Sequence, residues 1–124
     1  MSKKHLAIQW LDKPAKHDYV AAESYLSLLY DATAVGRHVK KLRRTHMCEF
    51  KAKDLLRASN LSRLGVSNSH VERDREKIIK GETLSPVLLV RDSKNDRLII
   101  ADGYHRLCAV YSLDEDAIIP SRIV

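Results

Sequence analysis

Residues 97–111, RLIIADGYHRLCAVY, place three groups suited to anion binding where a strand-like apolar run gives way to a helical pattern. The first backbone amides of a helix lack partners within the helix and carry the positive end of its dipole. Gly103 leaves space for a ligand to approach the backbone. His105 and Arg106 add side-chain donors, and a guanidinium offers phosphate oxygens a planar fork. The stretch therefore predicts a phosphate cradle.

The same stretch also has a structural explanation. Asp-Gly is a common turn, Asp102 is a good N-cap, and Arg106 could simply be paired at the surface. A capping carboxylate would compete with phosphate for the same amides, unless it turns away or a divalent cation bridges it to the ligand. Asp102 is then a candidate metal contact. Both explanations stay open on spacing alone.

A second set of donors lies on the helix predicted to start at His70. His70, Arg73 and Lys77 stand at i, i+3 and i+7, so they share one helix face. That face could form one wall of an anion pocket. The surrounding sequence, HVERDREKIIK, alternates in sign, which is also typical of a solvated helix with ion pairs along its surface.

The chain carries 22 Lys and Arg against 16 Asp and Glu, a formal charge of +6. This excess favours an acidic partner such as nucleic acid, a nucleotide or an acidic protein. Much of it is concentrated in one basic segment, which also holds His38 and His46. Its cationic residues are Arg37, Lys40, Lys41, Arg43 and Arg44.

At 124 residues the chain is expected to form one domain. No apolar run approaches the roughly 20 residues that cross a bilayer, and no signal peptide follows the basic N-terminus, so a cytoplasmic location is expected. Cys48 and Cys108 are expected to be free thiols, and the scattered histidines give little support for zinc.

The N-terminal half predicts a short strand over 5–12 and then a helical hairpin. The first helix, capped by Asp18, is expected to run to Tyr30, and the second from about Ala34 to Arg44. The expected apolar face of the first helix comprises Val20, Ala21, Ser24, Tyr25, Leu28 and Leu29. In the second helix Val35, Val39 and Leu42 form a narrow apolar stripe.

From residue 48 onward the predicted order is β, loop, α, β, β, α, β. The strand covers 48–56 and the loop 57–69, where Ser69 and Glu72 fit a capping box. A helix follows to about Lys80, with Gly81 as its left-handed C-terminal residue. The runs PVLLVRD and RLIIAD form a hairpin, a helix spans 104–113, and AIIPSRIV is the last strand. The fold class is therefore α+β, a small mixed β-sheet packed with helices.

Three segments in this order resemble the ParB/sulfiredoxin superfamily over residues 48–124. KAKDLLRAS is similar to the opening of the ParB N-terminal domain, and HVERDREKIIKGETLSPVLLVRD to its helix and following strand. IIADGYHRLCAVYSLDEDAIIPSRIV is similar to the strand, Gly-x-His-Arg turn, helix and closing strand of both groups. The resemblance implies two parts, a helical extension over 1–47 packed on a ParB/sulfiredoxin-like domain over 48–124.

The resemblance also implies a ligand and its contacts. In the family the turn and the preceding helix cradle the phosphates of ATP or CTP, and here Mg²⁺ is the expected metal. The implied binding residues are His70, Arg73, Lys77, Gly103, Tyr104, His105 and Arg106. Tyr104 stands where sulfiredoxin needs its reactive cysteine, so sulfinic acid reduction is not expected. Cys108 is expected to be a small core residue, and the helix-turn-helix of partition proteins is not expected in this chain.

The sequence is compatible with three functions. The first is a nucleotide-binding protein, with a slow NTPase or a phosphotransferase as the candidate activities. The second is a nucleic-acid-binding protein that uses the basic segment, with nuclease activity disfavoured. The third is a protein-interaction module, including a homodimer, in which the hairpin at 18–46 docks a partner and the phosphate site is a relict.

Overall fold

The computed structural model describes residues 7–65 and 68–124, and it has the predicted α+β architecture. Its elements are β1 (Gln9–Trp10), α1 (Lys16–Leu26), α2 (Ala32–Arg44), β2 (Cys48–Lys51), α3 (Ala52–Ser59), α4 (Ser69–Ile79), β3 (Thr83–Leu84), β4 (Val87–Asp92), β5 (Arg97–Asp102), α5 (Tyr104–Leu113) and β6 (Ile118–Ile123). A short 3-10 turn joins β4 to β5.

The main sheet is mixed and has the strand order β2-β6-β4-β5. β4 pairs antiparallel with β5, as the predicted hairpin requires, and parallel with β6. β2 pairs antiparallel with β6 at the opposite edge. β1 is shorter than the predicted strand, whose residues 5 and 6 lie outside the described chain, and it pairs parallel with β3.

The sheet is covered by helices on both faces, because its two apolar strands alternate between two hydrophobic clusters. In β4, Val87 and Leu89 pack with α3, α4 and α5, whereas Leu88 and Val90 pack with α1 and α2. The side chains of β5 alternate in the same way. This period of two is what a strand buried on both faces requires.

The helical layer formed by α1 and α2 is tied to β6 by one arginine. Nη1 of Arg122 donates to the hydroxyl of Tyr19 at 2.8 Å, to the carbonyl of Arg43 at 2.9 Å and to that of Leu42 at 3.3 Å. Terminal helix carbonyls lack partners within the helix. Arg122 therefore satisfies the C-terminal end of α2 while fixing it against the sheet.

The predicted apolar face of α1 is wrong. Val20, Tyr25 and Leu28 are exposed, and the buried residues are Asp18, Tyr19, Ala22 and Leu26. The helix is also shifted: Asp18 is its third residue, not its cap, and the helix ends at Leu26. The buried stripe includes a carboxylate, so apolar periodicity alone could not select it.

The predicted strand over 48–56 is also wrong in its second half. β2 ends at Lys51, and α3 extends from Ala52 into the segment expected to be a loop. The amides of Ala52 and Lys53 donate to the carbonyls of Ala117 and Glu115, both at 2.9 Å. These distant carbonyls, and not a local cap, satisfy the start of the helix.

The start of α4 differs by one position from the prediction. The cap is Asn68, whose side-chain oxygen accepts from the amides of His70 and Val71, and Ser69 is the first helical residue. Gly81 follows the helix with φ +77°, as predicted. Residues 66 and 67 of the expected loop lie outside the described chain.

Candidate functional site

A pocket of about 180 Å³ lies between α4 and the start of α5. Its nine lining residues are His70, Arg73, Asp74, Lys77, Asp102, Gly103, Tyr104, His105 and Arg106. Eight of these nine were singled out from the sequence as binding or metal residues. The structure therefore brings two segments, about thirty positions apart in the chain, to one concave site.

Residues of α4 form one wall of the pocket through a single helix face. His70, Arg73 and Lys77 contribute as their spacing predicts, and Asp74 belongs to the same face. Within the described chain, neither Arg73 nor Lys77 takes part in an ion pair, whereas the helix does pair Arg75 with Glu72 at 3.0 Å. The α4 cations that line the pocket, Arg73 and Lys77, are thus available for a ligand.

The opposite wall is the turn from β5 into α5. Gly103 is the N-cap of α5, and no side chain caps the helix start. The first helical hydrogen bond joins the amide of Leu107 to the carbonyl of Gly103 at 2.9 Å. The Asp102 carboxylate is turned toward Arg106 instead of toward these amides. The competition between a capping carboxylate and phosphate is therefore avoided.

Gly103 is required by packing as well as by any ligand. Its φ is +109°, a region that other residues rarely adopt. A Cβ at this position would lie 2.5 Å from Cγ1 of Val87 on β4. The close approach that the sequence suggested for a ligand is thus made by the neighbouring strand.

Arg106 is held by three oxygen atoms around one of its nitrogens. Nη2 donates to Oδ2 of Asp102 at 2.9 Å and to the carbonyl of Pro86 at 3.2 Å, and it lies 3.9 Å from Oδ1 of Asp18. Nε is buried without a partner. Because the contacts converge on Nη2, the fork is fixed in place, and Nη1 makes no hydrogen bond or ion pair within the described chain.

Asp18 is a residue of this site that sequence reasoning assigned only to helix capping. Its side chain is 2% exposed, and its Oδ2 accepts from the amide of Ala15 at 2.9 Å. It connects α1, in one helical layer, to Arg106 on α5 in the other. No local pattern distinguishes it from an ordinary first-turn aspartate.

The two buried carboxylates alter the charge of the site. The pKa of Asp102 is raised to about 6: burial is the largest cause and the nearby Asp18 adds to it, whereas Arg106 acts in the opposite direction. Burial also lowers the pKa of His105, and the charges of His70 and Arg106 add to this while Asp74 opposes it. The rings of His70 and His105 lie 4.9 Å apart, so a positive charge on His70 disfavours the charged form of His105.

The remaining turn residue, Tyr104, is engaged by its surroundings. Its hydroxyl donates to the carbonyl of Ser62, and burial together with the nearby thiol of Cys108 raises the pKa of its phenol. Cys108 is fully buried, and burial raises the pKa of its thiol, so it is the inert core residue that was expected.

The sequence-predicted basic residues lie elsewhere, on α2. Arg37, Lys40, Lys41, Arg43 and Arg44 are all exposed, while Val35, Val39 and Leu42 are buried on the sheet. The guanidinium of Arg43 stacks on the ring of Tyr19 at 4.6 Å. Because α2 covers the sheet face opposite α4 and α5, this surface is separate from the pocket.

Asp102 has limited capacity to hold a metal ion. One of its oxygens is bonded to Arg106, and because its pKa is raised to about 6, a proton competes with a metal ion for this carboxyl more than at an ordinary aspartate. Within the ranges that the structure describes, no three His, Cys, Asp or Glu residues are grouped for metal binding. The described residues of the pocket therefore do not form a metal site on their own.

Comparisons with known proteins give no match: no family model, no curated protein and no solved structure corresponds to this chain. Among the described helices, none combines the length and apolar character needed to cross a membrane.

Proposed function

We propose that this protein binds the phosphate groups of a nucleoside triphosphate in the pocket between α4 and α5. The observation that carries the proposal is the convergence of His70, Arg73 and Lys77 with the 103–106 turn around one small polar pocket. The helix start supplies amide donors, and the side chains supply cationic ones. The resemblance of residues 48–124 to the ParB/sulfiredoxin superfamily supports the same ligand, with ATP and CTP as the first candidates.

The test is thermal unfolding with ATP, CTP, GTP and ADP, each with and without Mg²⁺. A ligand that binds only the folded state raises Tm in a concentration-dependent way. Lys77→Ala is the informative variant because Lys77 lines the pocket and forms no ion pair in the described chain, whereas Arg106 is bound to structural partners. Lys80→Ala is the matched control, since Lys80 follows on the same helix outside the pocket.

A shift with the triphosphates that Lys77→Ala loses and Lys80→Ala keeps is the expected result. No shift with any nucleotide would contradict the proposal. Release of inorganic phosphate over hours, measured on the same samples, then distinguishes a slow NTPase from a binding protein, and a phosphotransferase would need its acceptor.

A second candidate function is nucleic-acid binding through α2. The observation that favours it is the set of five exposed cations on that helix, for which the described chain provides no carboxylate partner. Each nucleic-acid phosphate that a lysine or arginine neutralises releases counterions, so the affinity of such binding falls strongly as the salt concentration rises. The test is duplex DNA and RNA affinity across a salt series. Arg44→Ala should flatten the salt dependence, and Arg57→Ala, at an exposed arginine on α3, should not.

A further inference from the structure

We propose that the pocket recognises the phosphate chain of its ligand and does not read the base. This inference rests on the proposed function and specifies its ligand class as a polyphosphate, either carried by a nucleoside or free. The size, the lining and the donor geometry of the pocket each support it.

The size of the pocket accommodates phosphates but not a whole nucleotide. Pockets that enclose a drug-sized ligand occupy roughly 300–1,000 Å³. The pocket here is about 180 Å³. A phosphate chain seated in it would leave the sugar and base outside.

The lining offers little apolar surface on which a base could stack. None of the nine lining residues has an aliphatic side chain. Base recognition usually needs an aromatic or apolar platform. The one phenol, Tyr104, is held by the carbonyl of Ser62, and the imidazoles of His70 and His105 lie against each other at 4.9 Å.

The donors and the charge balance favour a ligand with several negative charges. The pocket is lined by three positively charged side chains, those of Arg73, Lys77 and Arg106. The carboxylates of Asp74 and Asp102 partly offset their charge. A singly charged anion would gain little over this mixed field. A di- or triphosphate can instead span the pocket, with oxygens at Arg73 and Lys77 on α4 and at the helix start of α5.

The test is calorimetric titration at pH 6.5 and matched ionic strength with tripolyphosphate, ATP, CTP, adenosine and cytidine. We expect tripolyphosphate, ATP and CTP to bind with Kd values within about threefold of one another, and the nucleosides not to bind. Arg73→Ala combined with Lys77→Ala should weaken all three ligands by tenfold or more. Lys80→Ala should leave all three unchanged.

Three results would overturn the inference, and they differ in whether the proposed function also fails. One nucleotide binding at least tenfold more tightly than tripolyphosphate would show that the base is read, and the proposed function would stand. No binding by any of the three would remove the proposed function as well. Equal binding that survives the double substitution would place the polyphosphate outside this pocket.

Discussion

At the scale of single residues, glycine at position 103 could be required by packing or by ligand binding, and a substitution distinguishes the two. Gly103→Ala should lower the free energy of unfolding by about 2–4 kcal/mol, because the new Cβ meets Val87 at 2.5 Å and φ is +109°. Gly81→Ala is the matched control, since Gly81 also has positive φ (+77°) but open space around it. It should cost only about 1 kcal/mol.

Urea unfolding of the two glycine variants measures both costs. Equal costs at Gly103 and Gly81 would mean that β4 does not press on the turn. Glycine at position 103 would then be explained by the approach of a ligand to the backbone, as the sequence alone suggested.

The buried carboxyl of Asp102 predicts a specific pH dependence of stability. Its pKa in the folded protein, about 6, lies above the ordinary value of 3.8. The stabilising contribution is therefore fully present below about pH 4 and is lost as pH rises through 6. Asp102→Asn removes this loss. Relative to wild type, the variant should gain on the order of 1 kcal/mol between pH 5 and pH 8.

Unfolding by urea at pH 5 and pH 8 checks this prediction. Asp92→Asn is the control, because the hydrogen bonds from Asn95 and Arg97 lower the pKa of Asp92. The stability associated with Asp92 is lost only as pH falls through that lowered value, so its variant should differ from wild type equally at both pH values. A pH-independent difference for Asp102→Asn would show that its carboxyl titrates normally.

At the scale of elements, the orientation of α1 is testable with two nearby leucines. Leu26 is 0% exposed and packs with the α1–α2 cluster, whereas Leu28, just after the helix, is 80% exposed. Leu26→Ala should cost about 2–5 kcal/mol, and Leu28→Ala should change stability by less than about 0.5 kcal/mol. Denaturant midpoints of the two variants measure this. The reverse order would restore the apolar face predicted from the sequence.

The elements differ in how far local sequence determines them. The β4–β5 hairpin and the turn into α5 were predictable, because β-branched apolar runs and an Asp-Gly pair act over a few residues. The buried stripe of α1 was not, because Asp18 and Tyr19 are buried by their contacts with Arg106 and Arg122, which are distant in the chain. The start of α3 was missed for the same reason, since its amides bond to Ala117 and Glu115.

The residues of the site also differ in how far local sequence determines them. His70, Arg73 and Lys77 were identified by helical spacing, and 103–106 by turn chemistry, because both signals are local. Asp74 was missed, although it lies at i+4 from His70 on the same helix face and the same spacing would have found it. Asp18 enters the site only through the packing of α1 on the sheet, which no short segment encodes.

At the scale of the whole molecule, the sheet makes its two helical layers interdependent. Leu88, Val90, Ile99 and Ala101 are each at most 4% exposed, and they pack with α1 and α2. Their neighbours in the same strands pack with α3, α4 and α5. Removal of residues 1–47 would therefore uncover one entire face of the apolar strands β4 and β5, and exposed patches of this kind drive association.

We expect the fragment 48–124 to be aggregated or unfolded, even though it contains the whole segment that resembles the ParB/sulfiredoxin domain. The helices over 1–47 would then be part of the core and not an appended module. Size-exclusion chromatography and thermal unfolding by circular dichroism are the measurements, with the full chain as reference. A monomeric fragment with a cooperative transition near that of the full chain would show that the sheet and α3–α5 fold without the N-terminal layer.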